Sequence, residues 1–227
     1  MKIPISKRLL CCAAQVRKGE RIADIGTDHG YLSIYLLSNQ IATFAHASDL
    51  REQPLQKAIE NAQRFGVSEQ MHFSCADGLQ AVAPESVDTV ICAGMGGELI
   101  AQILAQCPWI HDGKYRLILQ PQSSGNDLRR KLGEMGFGIE TECLVEDGGF
   151  LYQVLCVRFG IDMSLTPGEQ YVSPALLHSG DPLLPAYMQR IERALEKTVE
   201  GISKAADPDP RLEYYQTALQ QIRQMQA

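Results

Sequence analysis

The chain has 227 residues, 45% of them hydrophobic, and a formal net charge of −6 at pH 7. This length and composition allow one α/β domain with a full core and an appendage. No apolar run approaches the roughly 20 residues that cross a bilayer, so we expect a cytoplasmic protein without a membrane partner. The acidic balance argues against a generally basic nucleic-acid binder, because phosphate contacts usually supply the affinity.

The chain has seven cysteines, an odd number, mostly in apolar contexts and without a Cys-x-x-Cys pair. This pattern predicts reduced core residues and no disulfide framework or metal site. Lysine and arginine cluster locally in residues 1–21 and again at Arg129-Arg130-Lys131. Each cluster is compatible with a basic binding face, and solvated helix surface is the commoner alternative.

The run from Ile22 to Leu32 predicts a buried strand, a turn that contains Gly26 and Gly30, and the start of a helix. Such loops are typical of nucleotide-type cofactor sites. A dinucleotide fingerprint needs glycines where this turn has Asp28 and Tyr31. A carboxylate there disfavours a diphosphate but suits the cationic sulfonium and ammonium groups of S-adenosyl-L-methionine. An ordinary strand-to-helix turn is the competing interpretation.

Short apolar runs then alternate with helical patterns, which is typical of βαβ units and a parallel sheet. Further strands are predicted at 44–49, 71–75, 87–93 and 115–120. The last two, 138–145 and 150–159, are joined by four residues, too few for a crossover helix, so they must pair antiparallel. This order predicts an α/β class I methyltransferase fold, with a mostly parallel Rossmann-like sheet and an antiparallel last strand.

After Gly160 the composition changes to a connector that contains four prolines. Apolar residues then recur at three- and four-residue steps over 184–202 and 212–222, with Asp207-Pro208-Asp209-Pro210 between them. We therefore predict a cofactor-binding methyltransferase domain at 1–160 and, at 161–227, a connector and helical hairpin or coiled coil. Packing or self-association is the default role of the hairpin, and substrate gripping is the alternative.

Acidic residues lie at or near the ends of three successive predicted strands: Asp24, Asp49 and Asp77. Ligands of open α/β sheets bind outside these carboxyl ends. Asp49 suits the ribose hydroxyls and Asp77 the adenine amino group, although turn capping commonly explains a single Asp. The predicted cofactor-binding residues are Asp24, Gly26, Gly30, Asp49, Leu50, Asp77, Gly78, Ala93 and Gly94.

The fourth strand ends in Ala93-Gly94-Met95-Gly96-Gly97. So many glycines are costly in entropy unless a ligand approaches the backbone closely, so we expect the methyl acceptor here. Enzymes that methylate exocyclic amino groups usually carry an Asp or Asn, two prolines and an aromatic residue at this place. Their absence favours an acceptor atom with a free lone pair, such as a ring nitrogen.

Four strings together resemble the TrmK family: Ile22–Leu32, Ala93–Gly97, Leu119-Gln120-Pro121-Gln122 and the hairpin from Glu146 to Tyr152. Members are bacterial S-adenosylmethionine-dependent tRNA methyltransferases that modify N1 of adenine 22 and carry a C-terminal coiled coil. The resemblance runs from residue 1 to about 225. Gln122 replaces an Asn found in many relatives and keeps its amide chemistry.

The resemblance implies tRNA as partner and a direct attack by adenine N1, which needs no general base. The enzyme then has to align the reactants and to stabilise the positive charge that reaches the adenine. The candidates for catalysis are Asp28 and His29, with a turn-holding role as the alternative for His29.

A base-paired adenine must leave its helix to expose N1. The residues predicted to receive it are Tyr31, Met95, Gly96, Gln120, Pro121 and Gln122, for which packing and turn formation are the competing explanations. A small-molecule methyltransferase and a noncatalytic S-adenosylmethionine- or RNA-binding module remain as alternative functions.

Overall fold

The structure, a computed structural model, describes residues 2–204 and 209–226. Its centre is one seven-stranded sheet in the order β3-β2-β1-β4-β5-β7-β6. The strands are β1 Glu20–Ile25, β2 Ala42–Asp49, β3 Met71–Cys75, β4 Thr89–Met95, β5 Arg116–Pro121, β6 Phe137–Asp147 and β7 Phe150–Phe159. Strand β7, which lies between β5 and β6, is the one strand that runs antiparallel to the other six. The predicted sheet with an antiparallel last strand is therefore confirmed.

Eight α-helices accompany these strands in the described part of the chain. They are α1 Lys7–Ala14, α2 Tyr31–Ser38, α3 Glu52–Phe65, α4 Gly97–Ala105, α5 Gly125–Glu134, α6 Pro174–Leu177, α7 Leu184–Ser203 and α8 Leu212–Met225. Helix α1, which the sequence analysis does not assign, begins at Ser6, whose Oγ accepts a hydrogen bond from the Leu9 amide at 3.3 Å. It packs against β6 and the neighbouring strands.

Both faces of the sheet are covered, and alternate strand residues enter opposite cores. Ala23 and Cys92 pack with α4 and α5, whereas their neighbours Ile22 and Ile91 pack with α1, α2 and α3. This two-sided burial explains why the strands read as continuous apolar runs.

A third apolar cluster joins α7 and α8 to Val172, Leu176 and Leu144 of β6. The side chain of Arg223 on α8 reaches Glu192 and Glu196 on α7, as two antiparallel helices require. The predicted hairpin is thus confirmed, whereas the boundary at 160/161 stays a prediction and Asp207-Pro208 lies outside the described residues. No described helix combines the length and apolar character of a membrane span.

The second basic cluster is not a free basic face. Arg129 is fully buried and forms an ion pair with the fully buried Glu142 of β6. Its Nη1 donates to the Gln170 carbonyl at 3.0 Å, and Ser173 Oγ donates to Glu142 at 2.6 Å. Arg130 pairs with two acids of its own helix. The pair Arg129–Glu142 therefore ties α5 and β6 to the connector.

Candidate active site

A cleft of about 500 Å³, the first cleft, opens at the carboxyl ends of β1, β2 and β4. Thirteen of the seventeen predicted site residues line it: Asp24, Gly26, Asp28, His29, Tyr31, Asp49, Leu50, Asp77, Gly78, Ala93, Gly94, Met95 and Gln122. The carboxyl ends of neighbouring parallel strands meet at one sheet edge, which explains why residues so far apart in the chain come together.

The β1–α2 loop makes a sharp turn along one wall of this cleft. Its Gly26 and Thr27 amides donate to the Ser48 carbonyl at 2.8 and 3.0 Å, which holds the loop against β2. Gly26 has φ +70°, and a Cβ at this position would lie 2.7 Å from Met95 Cε. Asp28 also has a positive φ, +53°, which Asp tolerates better than most residues. The turn thereby presents Asp28 at the cleft.

Asp24 lies at the base of this loop and is buried. Its Oδ2 accepts hydrogen bonds from Thr27 Oγ1 and Ser33 Oγ, both at 2.8 Å. Burial raises the pKa of Asp24, and the two hydroxyl donors partly offset that rise. A neighbouring positive charge would compensate this buried carboxylate.

Asp49 is 6% exposed and is held by the loops around it. Its Oδ2 accepts from the Asp28 amide at 3.1 Å and its Oδ1 from the Arg51 amide at 3.0 Å. Each oxygen keeps further acceptor capacity, because a carboxylate offers about four lone-pair sites. Beside it, Leu50 is 67% exposed and Leu99 46% exposed. Asp49 can therefore accept hydroxyl protons next to an apolar surface.

The two predicted catalytic residues lie at the open side of the cleft. The side chains of Asp28 and His29 are 61% and 48% exposed, with 3.9 Å between Asp28 Oδ2 and His29 Nε2. The His29 and Tyr31 rings are 5.9 Å apart between centroids. These side chains are accessible to an incoming substrate.

Arg8 is a cleft residue that the sequence analysis places only within the basic N-terminal cluster. Helix α1 carries its side chain into the first cleft, where Nη1 donates to Gln120 Oε1 at 2.5 Å. The same oxygen accepts from the Gly94 amide at 3.0 Å. A Cβ on Gly94, whose φ is +82°, would lie 3.1 Å from Arg8 Nη1. A contact over 112 residues has no local sequence signal that could have revealed it.

Four predicted site residues do not line the first cleft. Gly30 starts α2 against α3, where a Cβ would lie 3.0 Å from Ala58 Cβ. Gly96 precedes α4 as its N-cap, and Gln120 is fully buried behind Gly94. Pro121 lines an adjoining cleft instead.

That adjoining cleft, the second cleft, has a volume of about 390 Å³ and shares Gln122 with the first. Its walls come from the β5–α5 loop, from Phe150 and Tyr152 of β7, from Tyr171 of the connector and from Arg190 of α7. Pro121 and Gln122 are predicted from the sequence, whereas the residues that β7 and α7 contribute carry no local sequence signal.

Comparison with known proteins adds independent findings. A family model described as a methyltransferase domain matches residues 5–155. The tRNA (adenine(22)-N(1))-methyltransferase of Bacillus subtilis is 31% identical over 215 residues, which cover 92% of this chain and 90% of that protein.

Two solved structures match this chain over nearly its whole length. The crystal structure of the B. subtilis M1A22 tRNA methyltransferase TrmK superposes with a TM-score of 0.88 at 28% identity and 99% coverage of both chains. A Streptococcus pneumoniae protein in complex with S-adenosyl-L-methionine superposes with a TM-score of 0.83 at 31% identity, covering 98% of this chain and 100% of that one. From its sequence and its fold, this chain belongs to the TrmK family of methyltransferases.

Proposed function

We propose that this protein transfers the methyl group of S-adenosyl-L-methionine to N1 of adenine 22 in tRNA. The observation that carries the proposal is the first cleft, where four aspartates line the carboxyl end of the sheet in a member of the TrmK family. The B. subtilis relative is named for this reaction, and the S. pneumoniae relative was solved with this cofactor.

The charges of the first cleft fit the cofactor. Its sulfonium and ammonium groups are cations, and Asp24, Asp28, Asp49 and Asp77 line the cleft as their counterparts. The cofactor also carries one carboxylate, for which the guanidinium of Arg8 is the matching cation. Bound there, S-adenosylmethionine supplies an electrophilic methyl group on its sulfur.

The nucleoside part of the cofactor matches the other groups of the cleft. Asp49 offers two carboxylate oxygens that the protein already orients through backbone amides, and ribose has two hydroxyls to donate. The exposed side chains of Leu50 and Leu99 provide an apolar surface for the adenine faces. Asp77 is the candidate acceptor for its amino group.

The acceptor adenine needs orientation more than activation, because N1 carries a free lone pair near neutral pH. Tyr31, Met95 and Gln122 line the cleft where they can bound the base. We assign Asp28 to the stabilisation of the positive charge that the adenine gains. His29 is assigned to binding the base or the RNA backbone. Gln120 acts indirectly in this scheme, by fixing Arg8 and the Gly94 amide.

A tRNA substrate implies a flipped adenine, since N1 lies on the Watson–Crick edge. A cytoplasmic location, which the sequence predicts, is consistent with this substrate. A small-molecule methyltransferase would use the same first cleft without needing RNA, and a noncatalytic module would bind the cofactor without turnover.

The test is methyl transfer from labelled S-adenosylmethionine to unmodified bacterial tRNA, with nucleoside analysis of the product. We expect label in 1-methyladenosine. The matched control is the same tRNA with guanine at position 22, which we expect to remain unlabelled. Cofactor binding without transfer to any tRNA would contradict the proposal and favour one of the two alternatives.

A further inference from the structure

The second cleft exposes an aromatic side chain that core packing does not explain. In residues 2–204 and 209–226, the strongly exposed large hydrophobic side chains are Leu50, Leu99 and Phe150. The two leucines line the first cleft. Phe150, 64% exposed, lines the second cleft beside Tyr152, with 6.4 Å between their ring centroids. Exposed rings of this kind provide stacking surfaces for bases.

The charge of the second cleft is opposite to that of the first. Among the described residues that line it, Arg190 is the single charged side chain, and no carboxylate is present. Arg190 Nη1 donates to the Leu151 carbonyl at 2.9 Å, and its Cζ lies 5.3 Å from the Tyr187 ring centroid. It forms no ion pair with any described residue. Its charge is therefore held in place and not neutralised.

A rigid floor supports the second cleft. The Tyr187 hydroxyl accepts a hydrogen bond from Gln153 Nε2 and donates to the Tyr171 carbonyl at 3.1 Å. Gln153 Oε1 in turn accepts from Arg129 Nη2 at 2.8 Å. Because Arg129 also holds Glu142, this network connects α5, β6, β7 and α7 beneath the cleft. The cleft is thus largely pre-formed.

The two clefts are continuous along one wall. Gln122 lines both, and the Arg8 guanidinium in the first cleft lies 5.8 Å from the ring centroid of Tyr152 in the second. A ligand that extends out of the first cleft along this wall can therefore reach the second.

We propose that the second cleft binds the nucleotide next to the methylated adenine, with its base stacked on Phe150 and its phosphate held by Arg190. This inference rests on the proposed function. A polyanion is favoured because the cleft carries positive charge within a chain of net charge −6. Aromatic rings with an unneutralised arginine match a base and its phosphate. The C-terminal hairpin thereby contributes directly to RNA binding through α7.

The charge is tested with Arg190→Gln, using Arg193→Gln as the matched control. Arg193 is an exposed arginine one turn further along the same helix and does not line the second cleft. We expect Arg190→Gln to raise KM for tRNA on the order of 10-fold, with kcat and cofactor affinity unchanged. The slope of log affinity against log salt should fall by about 1. Arg190→Lys should restore the slope.

Stacking is tested with Phe150→Ala and tRNA that carries an abasic nucleotide beside adenine 22, at position 21 or 23. Binding is measured by fluorescence anisotropy with S-adenosylhomocysteine present, so that no turnover occurs. For the unaltered protein, one of the two abasic tRNAs should bind on the order of 10-fold more weakly than intact tRNA. That penalty should disappear in Phe150→Ala.

The inference is overturned if Arg190→Gln and Arg193→Gln behave alike, or if Phe150→Ala keeps the full abasic penalty. Failure of the proposed function would look different, because the unaltered protein would then methylate no tRNA at all. Unchanged cofactor affinity in both variants shows that the first cleft is intact.

Discussion

The two clefts are built in different ways, and the difference separates what each one binds. The first cleft collects loops that follow successive parallel strands, and it carries four aspartates. The second cleft collects a loop, a β-hairpin and a C-terminal helix, and Arg190 is its single charged lining residue among those described. An acidic chain can therefore serve an RNA substrate, because carboxylates are concentrated where the cofactor is a cation and absent where phosphate would pass.

Of the substitutions that test this difference between the clefts, Asp49→Ala is expected to have the largest effect. The change removes two charge-assisted acceptors for the ribose, each worth about 1.5–3 kcal/mol. It also removes the partner of the Asp28 amide. The cofactor Kd should rise on the order of 100-fold in calorimetry, whereas tRNA affinity without cofactor should stay the same. Asp49→Asn keeps the size of the side chain and one acceptor oxygen, so its cofactor Kd should lie between those of the unaltered protein and Asp49→Ala. If Asp49→Ala weakened tRNA binding as much as cofactor binding, the two clefts would not bind separate ligands.

Asp28 should affect turnover more than binding. In Asp28→Asn we expect kcat for tRNA methylation to fall roughly 30-fold, because the developing positive charge loses its carboxylate. The cofactor Kd should change only a few-fold. Asn suits the positive φ of this position, so the backbone stays in place, whereas Asp28→Ala adds backbone strain. Single-turnover kinetics separate the two variants, and full activity of Asp28→Asn would assign the role of this residue to the turn alone.

Asp24 gives the first cleft a dependence on pH. Burial raises the pKa of Asp24 above its value in the unfolded chain, so the fold is more stable when this carboxyl is protonated. That stability is lost as the pH rises through the folded-state pKa, because the carboxylate must then be ionised while buried. Asp24→Asn should therefore raise the unfolding temperature of the cofactor-free protein at neutral pH.

The same substitution should weaken cofactor binding about 10-fold, since one counter-charge is removed. In the unaltered protein, cofactor affinity should fall as the pH is lowered, and the fall should begin at a pH above the ordinary pKa of an aspartate because the pKa of Asp24 is raised. In Asp24→Asn the affinity should depend less on pH. If Asp24→Asn bound the cofactor at neutral pH as tightly as the unaltered protein does, Asp24 would not be part of the cofactor site.

Arg8 lines the first cleft, and its Cζ lies 5.8 Å from the ring centroid of Tyr152 in the second. For Arg8→Gln we expect the smallest effects, about 5-fold in the cofactor Kd and about 5-fold in KM for tRNA. Arg8→Lys keeps the charge but not the planar guanidinium that donates to Gln120, so it should restore part of the lost cofactor affinity. The measurements are isothermal titration and steady-state kinetics on the same preparations. An effect confined to one ligand would show that Arg8 does not link the clefts.

Prediction from sequence succeeded where a general rule of sheet topology brings residues that are distant in the chain close together in space. Asp24, Asp49 and Asp77 converge because parallel strands present their carboxyl ends at one edge, and all three line the first cleft. It did not succeed for Arg8 and Arg129. Both belong to clusters that read as surface charge, yet Arg8 enters the first cleft and Arg129 is buried against Glu142.

The sequence by itself determined the class of fold, the antiparallel last strand and the cofactor, because hydrophobic periodicity, connection length and the charge of one loop are local properties. Tertiary structure decided where α1 places Arg8 and how α7 meets the β6–β7 hairpin to form the second cleft. Both placements depend on contacts between side chains that are more than 30 residues apart in the chain, such as the hydrogen bond from Gln153 to Tyr187. No periodicity encodes such contacts, since they arise from shape and buried hydrogen bonding across the whole core.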